Sequence, residues 1–250
     1  MCRHLAYLGP PACLAEFVFD RPHSLARQGW APLDMRGGGT INADGFGAGW
    51  YPDGVGEPLR YRRACPIWAD PGFEPIARAV TSTAMVAAVR SATPGMPVTE
   101  LACAPFAADG LLFSLNGRIA GWPDSVADIA ERLPAVELLR MAAPTDSGLL
   151  WQLVRARLAD GEDMASAVAG VVTEVAATAP GSRLNLLLTD GRTIVATTWT
   201  HSLSVRCDAG AVLVASEPLD ETGWTAVDDR AVVVADADGV DVRPLTKGTA

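Results

Sequence analysis

The second residue of this chain is a cysteine, and what it can do depends on the residue before it. A thiol attacks a carbonyl well only as its thiolate. Small side chains at position 2 permit removal of an initiator methionine, and without Met1 the residue Cys2 carries a thiol and a free α-amine together. An α-amine titrates near pH 8, so it can take a proton close to neutrality. Nucleophile and base would then lie on one residue. The adjacent Arg3 would add a positive charge that favours the thiolate and lowers the amine pKa further. The structural alternative is that Cys2 is an accidental second residue buried in the first strand.

Three further spots carry polar groups of catalytic type, each with a plain structural alternative. Arg90 closes a short apolar run and is followed by Ser91, Ala92 and Thr93. A guanidinium there could hold a carboxylate in bidentate fashion, or simply cover a strand end. Asn116-Gly117 follows the apolar run 111–115. It reads as a hairpin turn, or as an oxyanion hole built from the Asn116 amide and the Gly117 backbone N–H. Asp146-Ser147 reads as a helix N-cap, or as a carboxylate placed to bind a substrate ammonium.

Other patterns exclude chemistry. The stretch 42–51 has alternate glycines but is not GxGxxG and opens a strand, so dinucleotide binding does not fit. Glycine at every second place leaves one strand face bare, open to a ligand or another sheet. His4, His23 and His201 are scattered, without HExxH, and no metal site is expected. No GxSxG occurs, which argues against an α/β-hydrolase. No cofactor is implied.

The elements that must position these groups follow from composition and pattern. The 250 residues are 49% hydrophobic, enough for one large core, and a single domain over 1–250 is expected. A formal charge of −9 makes nucleic acid and anionic membrane poor partners. Five widely spaced cysteines, with no CxxC, fit a reducing cytoplasm better than a disulfide framework. The N-terminal apolar stretch is too short for a signal peptide, and no apolar run reaches spanning length. Apolar runs predict strands over 5–8, 46–51, 59–62, 85–89 and 111–115, with Asp53-Gly54 as a turn. A helix capped by Asp146 or Ser147 runs to about 161, and another spans about 163–177 with Met164, Val168, Val171, Val172 and Val175 on one face. Strands follow over 184–188, 194–198, 212–215, 232–235 and 240–242, with Asp190-Gly191 as a hairpin. Strands, then helices, then strands specify an α+β fold with largely antiparallel sheet.

Each chemical signal is weak alone, but their order is informative. Cys2, the glycine-rich stretch 42–51, the segment 90–95, Asn116-Gly117 and Asp146-Ser147 together resemble the class II glutamine amidotransferase family over nearly the whole chain. The segment Ala215-Ser216-Glu217-Pro218-Leu219 resembles its stand-alone members. The segments 1–5, 87–97, 183–187 and 196–199 are most similar to the branch that hydrolyses γ-glutamyl-hercynylcysteine sulfoxide in ergothioneine biosynthesis. The resemblance implies a four-layer αββα Ntn-hydrolase sandwich of two antiparallel sheets flanked by helices. It implies Cys2 as nucleophile with its own α-amine as base, and Asn116 and Gly117 in the oxyanion hole. It also implies that Arg90 holds the substrate α-carboxylate, that Thr93 lies beside it and that Asp146 holds the α-amine. The substrate would be a small γ-glutamyl amide, cleaved through a thioester, with no protein partner required. The alternatives are a glutaminase subunit feeding ammonia to a separate synthase, or an inert binding module. Departures from the family pattern are Leu115 and Ala104, where many members have histidine, and Gly148, where many have glutamate. The chain's seven tryptophans suggest an aromatic cage for a trimethylammonium leaving group, with Trp30, Trp50, Tyr51 and Trp68 as candidates.

Overall fold

Alternation along the strands dictates the architecture of the computed structural model, which describes residues 2–36, 41–52, 56–208 and 210–245. The strands are β1 (Arg3–Cys13), β2 (Phe46–Trp50), β3 (Leu59–Arg63), β4 (Thr81–Val89), β5 (Phe106–Ala108), β6 (Leu111–Arg118) and β7 (Arg183–Thr189). They continue with β8 (Ile194–Thr198), β9 (Ser204–Asp208), β10 (Ala211–Ala215), β11 (Thr225–Ala226), β12 (Ala231–Asp236) and β13 (Gly239–Pro244). The α-helices are α1 (Leu25–Gln28), α2 (Phe73–Ala79), α3 (Ala127–Ala130), α4 (Ala135–Leu139), α5 (Asp146–Ala159) and α6 (Met164–Thr178). The predicted turn at Asp53-Gly54 lies outside the described residues.

The strands form two antiparallel sheets, ordered β11-β9-β10-β1-β4-β2-β3 and β13-β12-β8-β7-β6-β5. In β1, Leu5 and Tyr7 point to one side and join a core with Phe17, Leu25 and Phe73 of the helical segments outside the first sheet. Ala6 and Leu8 point to the other side, where they meet Leu112, Leu187, Ala196 and Val233 of the second sheet. In β6, Phe113 and Leu115 pack outward against Leu150, Val154, Val168 and Val172 of α5 and α6. Three apolar cores therefore separate four layers, helix, sheet, sheet and helix, as the α+β sandwich reading required.

The two long helices form where spacing and caps direct them. α6 starts at Asp163, whose carboxylate accepts the Ser166 N–H at 3.0 Å, and its valines face the second sheet. α5 is capped one residue earlier than expected: Thr145 Oγ1 accepts the Gly148 N–H at 3.1 Å. Asp146 is thus freed from capping and is the first residue of the helix. Short elements escaped the sequence pattern, among them α2, β5 and the edge-side β9 and β11. Asn116-Gly117 is no hairpin. Both residues lie inside β6, paired with Asn185 and Leu184 of β7. A Cβ on Gly117 would stand 1.9 Å from the Arg183 carbonyl oxygen, so only glycine permits this approach of the strands.

Candidate active site

Where β1 begins and β4 and β6 end, beside the start of α5, a cavity opens, lined among others by Cys2, Arg90, Thr93, Leu115, Gly117 and Asp146. Five of the six expected site residues, separated by up to 144 positions in the chain, share this wall. Asn116, the sixth, is buried beside it, with its side chain on the face of β6 that meets the first sheet.

Cys2 directly precedes β1, and its Sγ is 3.7 Å from the Ser91 carbonyl oxygen. That contact sets the thiol against the segment following β4. Pairing of Arg3 with Val89 fixes the register. The segment 90–93 is in turn braced by the glycine-rich stretch. Arg90 N–H donates to Gly45 O at 2.7 Å, Asp44 N–H donates to Arg90 O at 2.9 Å, and Asp44 Oδ2 accepts the Ala92 N–H at 2.8 Å. The bare face of that strand is covered by protein, since a Cβ on Gly47 would meet the Ala104 carbonyl oxygen at 2.4 Å. The second sheet's segment, rather than a ligand, occupies it.

The two charged groups have opposite signs and no mutual contact. Arg90 Nη1 is buried without a hydrogen-bond partner among the described residues. Asp146 is buried, with Oδ2 accepting the Ile119 N–H at 3.1 Å and Oδ1 accepting the Ser147 N–H at 2.8 Å. Burial pushes the Asp146 carboxyl above its ordinary range, against the pull of these two N–H groups and of the Arg90 charge. A half-buried cation with a buried, free N–H and a buried carboxylate with spare lone pairs are complementary to a zwitterion.

Arg3 corrects the sequence expectation. Its position in β1 is one residue out of phase with Cys2, so its side chain leaves from the opposite face. It is fully buried and its Nε donates to Glu217 Oε1 at 2.6 Å. Nη1 donates to the Cys2 carbonyl at 3.0 Å, and Nη2 donates to the Asp34 carbonyl. Its charge is thus paired with Glu217. Glu217 Oε2 also meets His23 Nε2 at 2.7 Å and accepts the Leu33 N–H at 2.8 Å. Burial pushes the Glu217 carboxyl up, but the His23 bond, the Arg3 charge and the Leu33 N–H together hold it below the ordinary range. Arg3 therefore acts as an anchor for the backbone of the nucleophile.

Neither nearby histidine can serve as a base at neutral pH. Burial, then His201 and Arg3, lower His4 to about 3. Burial, then Arg183 and Arg3, lower His201 to about 4. Both are neutral at pH 7 and hold a proton too weakly to accept one from a thiol. His4 Nδ1 instead lies 3.2 Å from Ser114 Oγ across the sheets. His4 and Cys2 share one face of β1, and Ser114 and Asn116 share the facing side of β6, so this contact aligns Asn116 with Cys2.

The proposed aromatic cage is not assembled here. Tyr51 is fully buried and its hydroxyl, with one proton to donate, lies 2.9 Å from both Gly110 O and Thr189 O. Trp50 packs on the first sheet's outer core, Trp30 carries Arg27 over its ring, and Trp68 is half exposed. None of the four lines the cavity. Among the described residues no cluster of metal-ligating side chains occurs, and no helix is long and apolar enough to cross a membrane.

Known proteins resemble this chain in sequence and in fold. The γ-glutamyl-hercynylcysteine sulfoxide hydrolase of Mycolicibacterium smegmatis is 37% identical over 246 residues, covering 98% of this chain and all of the relative. That of Mycobacterium tuberculosis is 37% identical over 248 residues, covering 99% of this chain and 98% of the relative. The chain belongs to this hydrolase family. No protein-family model matches the chain. Among solved structures, a class II glutamine aminotransferase domain protein from Silicibacter pomeroyi superposes with a TM-score of 0.69 at 24% identity, covering 98% of this chain and all of that one. The phosphoribosylpyrophosphate amidotransferase of Bacillus subtilis superposes with a TM-score of 0.67 at 12% identity over 98% of this chain and 49% of its own. The four-layer sandwich is thus the Ntn amidotransferase fold. Leu115 and Ala104, where the resemblance to the class II glutamine amidotransferases implies histidine, both line the cavity.

Sequence reasoning missed Ser216 and Glu217 as parts of the site. Ser216 Oγ accepts the His4 N–H at 3.0 Å and the Asn116 Nδ2–H at 3.2 Å. The signal available in the sequence is the polar pair Ser216-Glu217 directly after the apolar run 212–215.

Proposed function

We propose that this protein, as a single-domain enzyme, hydrolyses the γ-glutamyl amide bond of γ-glutamyl-hercynylcysteine sulfoxide, releasing glutamate and hercynylcysteine sulfoxide. The observation that carries it is the buried, unpartnered Arg90 Nη1 sharing a cavity wall with Cys2 and the buried carboxylate of Asp146. A γ-glutamyl group has a carboxylate and an ammonium at one end and the scissile carbonyl at the other. Arg90 takes the carboxylate, with Thr93 beside it, and Asp146 takes the ammonium. The substrate ammonium offsets the burial that raises the Asp146 carboxyl in the free protein.

After loss of Met1, the Cys2 α-amine accepts the thiol proton and Sγ attacks the γ-carbonyl. The Gly117 N–H and the Asn116 amide donate to the oxygen as it becomes negative. The C–N bond then breaks, the ammonium of Cys2 protonates the leaving amine, and a thioester remains. Water adds to the thioester with the amine again as base, the S–C bond breaks, and glutamate leaves with the thiol restored. No cofactor takes part, no protein partner is required, and the cytoplasm is the compartment that suits a free catalytic thiol.

The test combines intact mass with glutamate release from the conjugate and from glutamine on one preparation. A chain without Met1 that releases glutamate mainly from the conjugate supports the reading. Preference for glutamine would replace it with ammonia delivery to a separate synthase, and no release from either would indicate an inert module.

A further inference from the structure

Ser216 stands just after β10, is fully buried, and touches both halves of the site. Its Oγ accepts from the His4 N–H in β1 and from Nδ2 of Asn116 in β6. Both lone pairs of the hydroxyl are thereby used. Its own backbone is held as well: the Ser216 N–H donates to His4 O at 2.9 Å, and Ser202 Oγ donates to Ser216 O at 2.8 Å. One hydroxyl therefore connects the strand that carries the nucleophile to the amide in the opposite sheet.

Asn116 needs such a partner. The terminal torsion of an asparagine is broad and roughly two-fold, so packing alone does not decide which end of the amide faces a cavity. Ser216 is the one hydrogen-bond partner of this side chain among the described residues, and Oδ1 is buried without any. Turned by half a revolution, the amide would present Oδ1, whose partial negative charge opposes an oxyanion. Held by Ser216 at its NH₂ end, the amide keeps its second N–H free to donate.

We propose that Ser216 is a positioning residue for the hydrolysis, fixing the Asn116 amide with its NH₂ group toward the carbonyl attacked by Cys2. This rests on the oxyanion role given to Asn116 in the proposed function. Ser216 touches no reacting atom and acts through Asn116.

The test is a double-mutant cycle in the full chain, with glutamate release from γ-glutamyl-hercynylcysteine sulfoxide and alkylation of Cys2 by iodoacetamide as readouts. Ser216→Ala should lower kcat by about 10- to 100-fold, less than removal of the donor itself, while KM stays near the parent value. Alkylation of Cys2 should be unchanged, because the thiol does not depend on the amide. In an Asn116→Ala background, Ser216→Ala should change kcat by less than about twofold, since the group it positions is gone. Ser216→Thr keeps the hydroxyl and should recover most of the activity. Multiplicative losses in the double variant, or full kcat in Ser216→Ala, would overturn the proposal. An activity-independent readout accompanies these: in ¹⁵N-labelled protein the Asn116 side-chain NH₂ should exchange slowly with solvent in the parent and in Ser216→Thr, and faster in Ser216→Ala. Rapid exchange in the parent would also overturn it. If the parent protein releases no glutamate, the proposed hydrolysis fails, while the Asn116 exchange still decides whether Ser216 holds the amide.

Discussion

Replacing Arg90 by methionine should make the protein more stable and much worse at binding its substrate. Arg90 makes no side-chain hydrogen bond or ion pair with a described residue, and its buried Nη1 has no acceptor. A buried donor left unsatisfied costs about 1–3 kcal/mol. A methionine of similar length removes that penalty and keeps the packing, and each kcal/mol gained raises Tm by about 2–4 °C in a domain of this size. Binding moves the other way. Loss of a charge-assisted pair with the α-carboxylate removes about 3 kcal/mol, which at 1.4 kcal/mol per tenfold is roughly a hundredfold in KM. The carboxylate is remote from the scissile bond, so kcat should change by less than about fivefold. Thermal denaturation beside steady-state glutamate release reads both effects on one sample. A Tm several degrees below the parent, with KM unchanged, would show that Arg90 is structural and refute the reasoning from its free N–H.

Three further outcomes are expected. Asn116→Ala should lower kcat by about 10²–10³, the usual consequence of losing one oxyanion donor, and full activity there would remove Asn116 from the site. Gly117→Ala puts a Cβ 1.9 Å from the Arg183 carbonyl, so urea denaturation should show a loss of at least about 1–3 kcal/mol as β6 and β7 are forced apart; unchanged stability would contradict this strand spacing. Glu217→Gln leaves the buried Arg3 without a full countercharge and should destabilise by about 3–5 kcal/mol at neutral pH. The folded Glu217 carboxyl titrates below its ordinary value, so its contribution is complete above the ordinary carboxylate range and is lost as pH falls through the folded value. Tm curves of parent and variant should converge in acid, and a gap independent of pH would exclude the Arg3–Glu217 pair as its source.

Much of the scaffold was legible because its central elements are long and apolar. β1, β4 and β6 appear as apolar runs, and the 3- and 4-residue spacing of Val168, Val171, Val172 and Val175 marks α6. β9 was not legible: Arg206 and Asp208 interrupt it, and only its neighbours make it a strand. Asn116-Gly117 misleads for a different reason. Its local preference is a turn, but the long-range pairing with β7 overrides it, and the carbonyl that excludes a side chain at Gly117 belongs to Arg183. Site residues with a chemistry of their own, Cys2, Arg90 and Asp146, could be picked out one by one. Residues that act through others could not. Arg3 and Glu217 are 214 positions apart, and only the placement of β10 beside β1 brings them together.

The apolar side chains that line the cavity have a physical consequence for the charged groups beside them. Leu115 and Ala104 give the cavity apolar wall, and Phe46, Met96 and Phe106 extend that wall. An apolar surround weakens screening and enlarges every charge effect within it. It leaves Arg90 Nη1 without an acceptor and raises the Asp146 carboxyl, both unfavourable in the free protein. The same surround strengthens each interaction once a zwitterionic γ-glutamyl group places its carboxylate and ammonium on those two residues. The Asn116 amide is held on the inner face of the strand by Ser216, whose hydroxyl also accepts the His4 N–H and so ties the amide to β1.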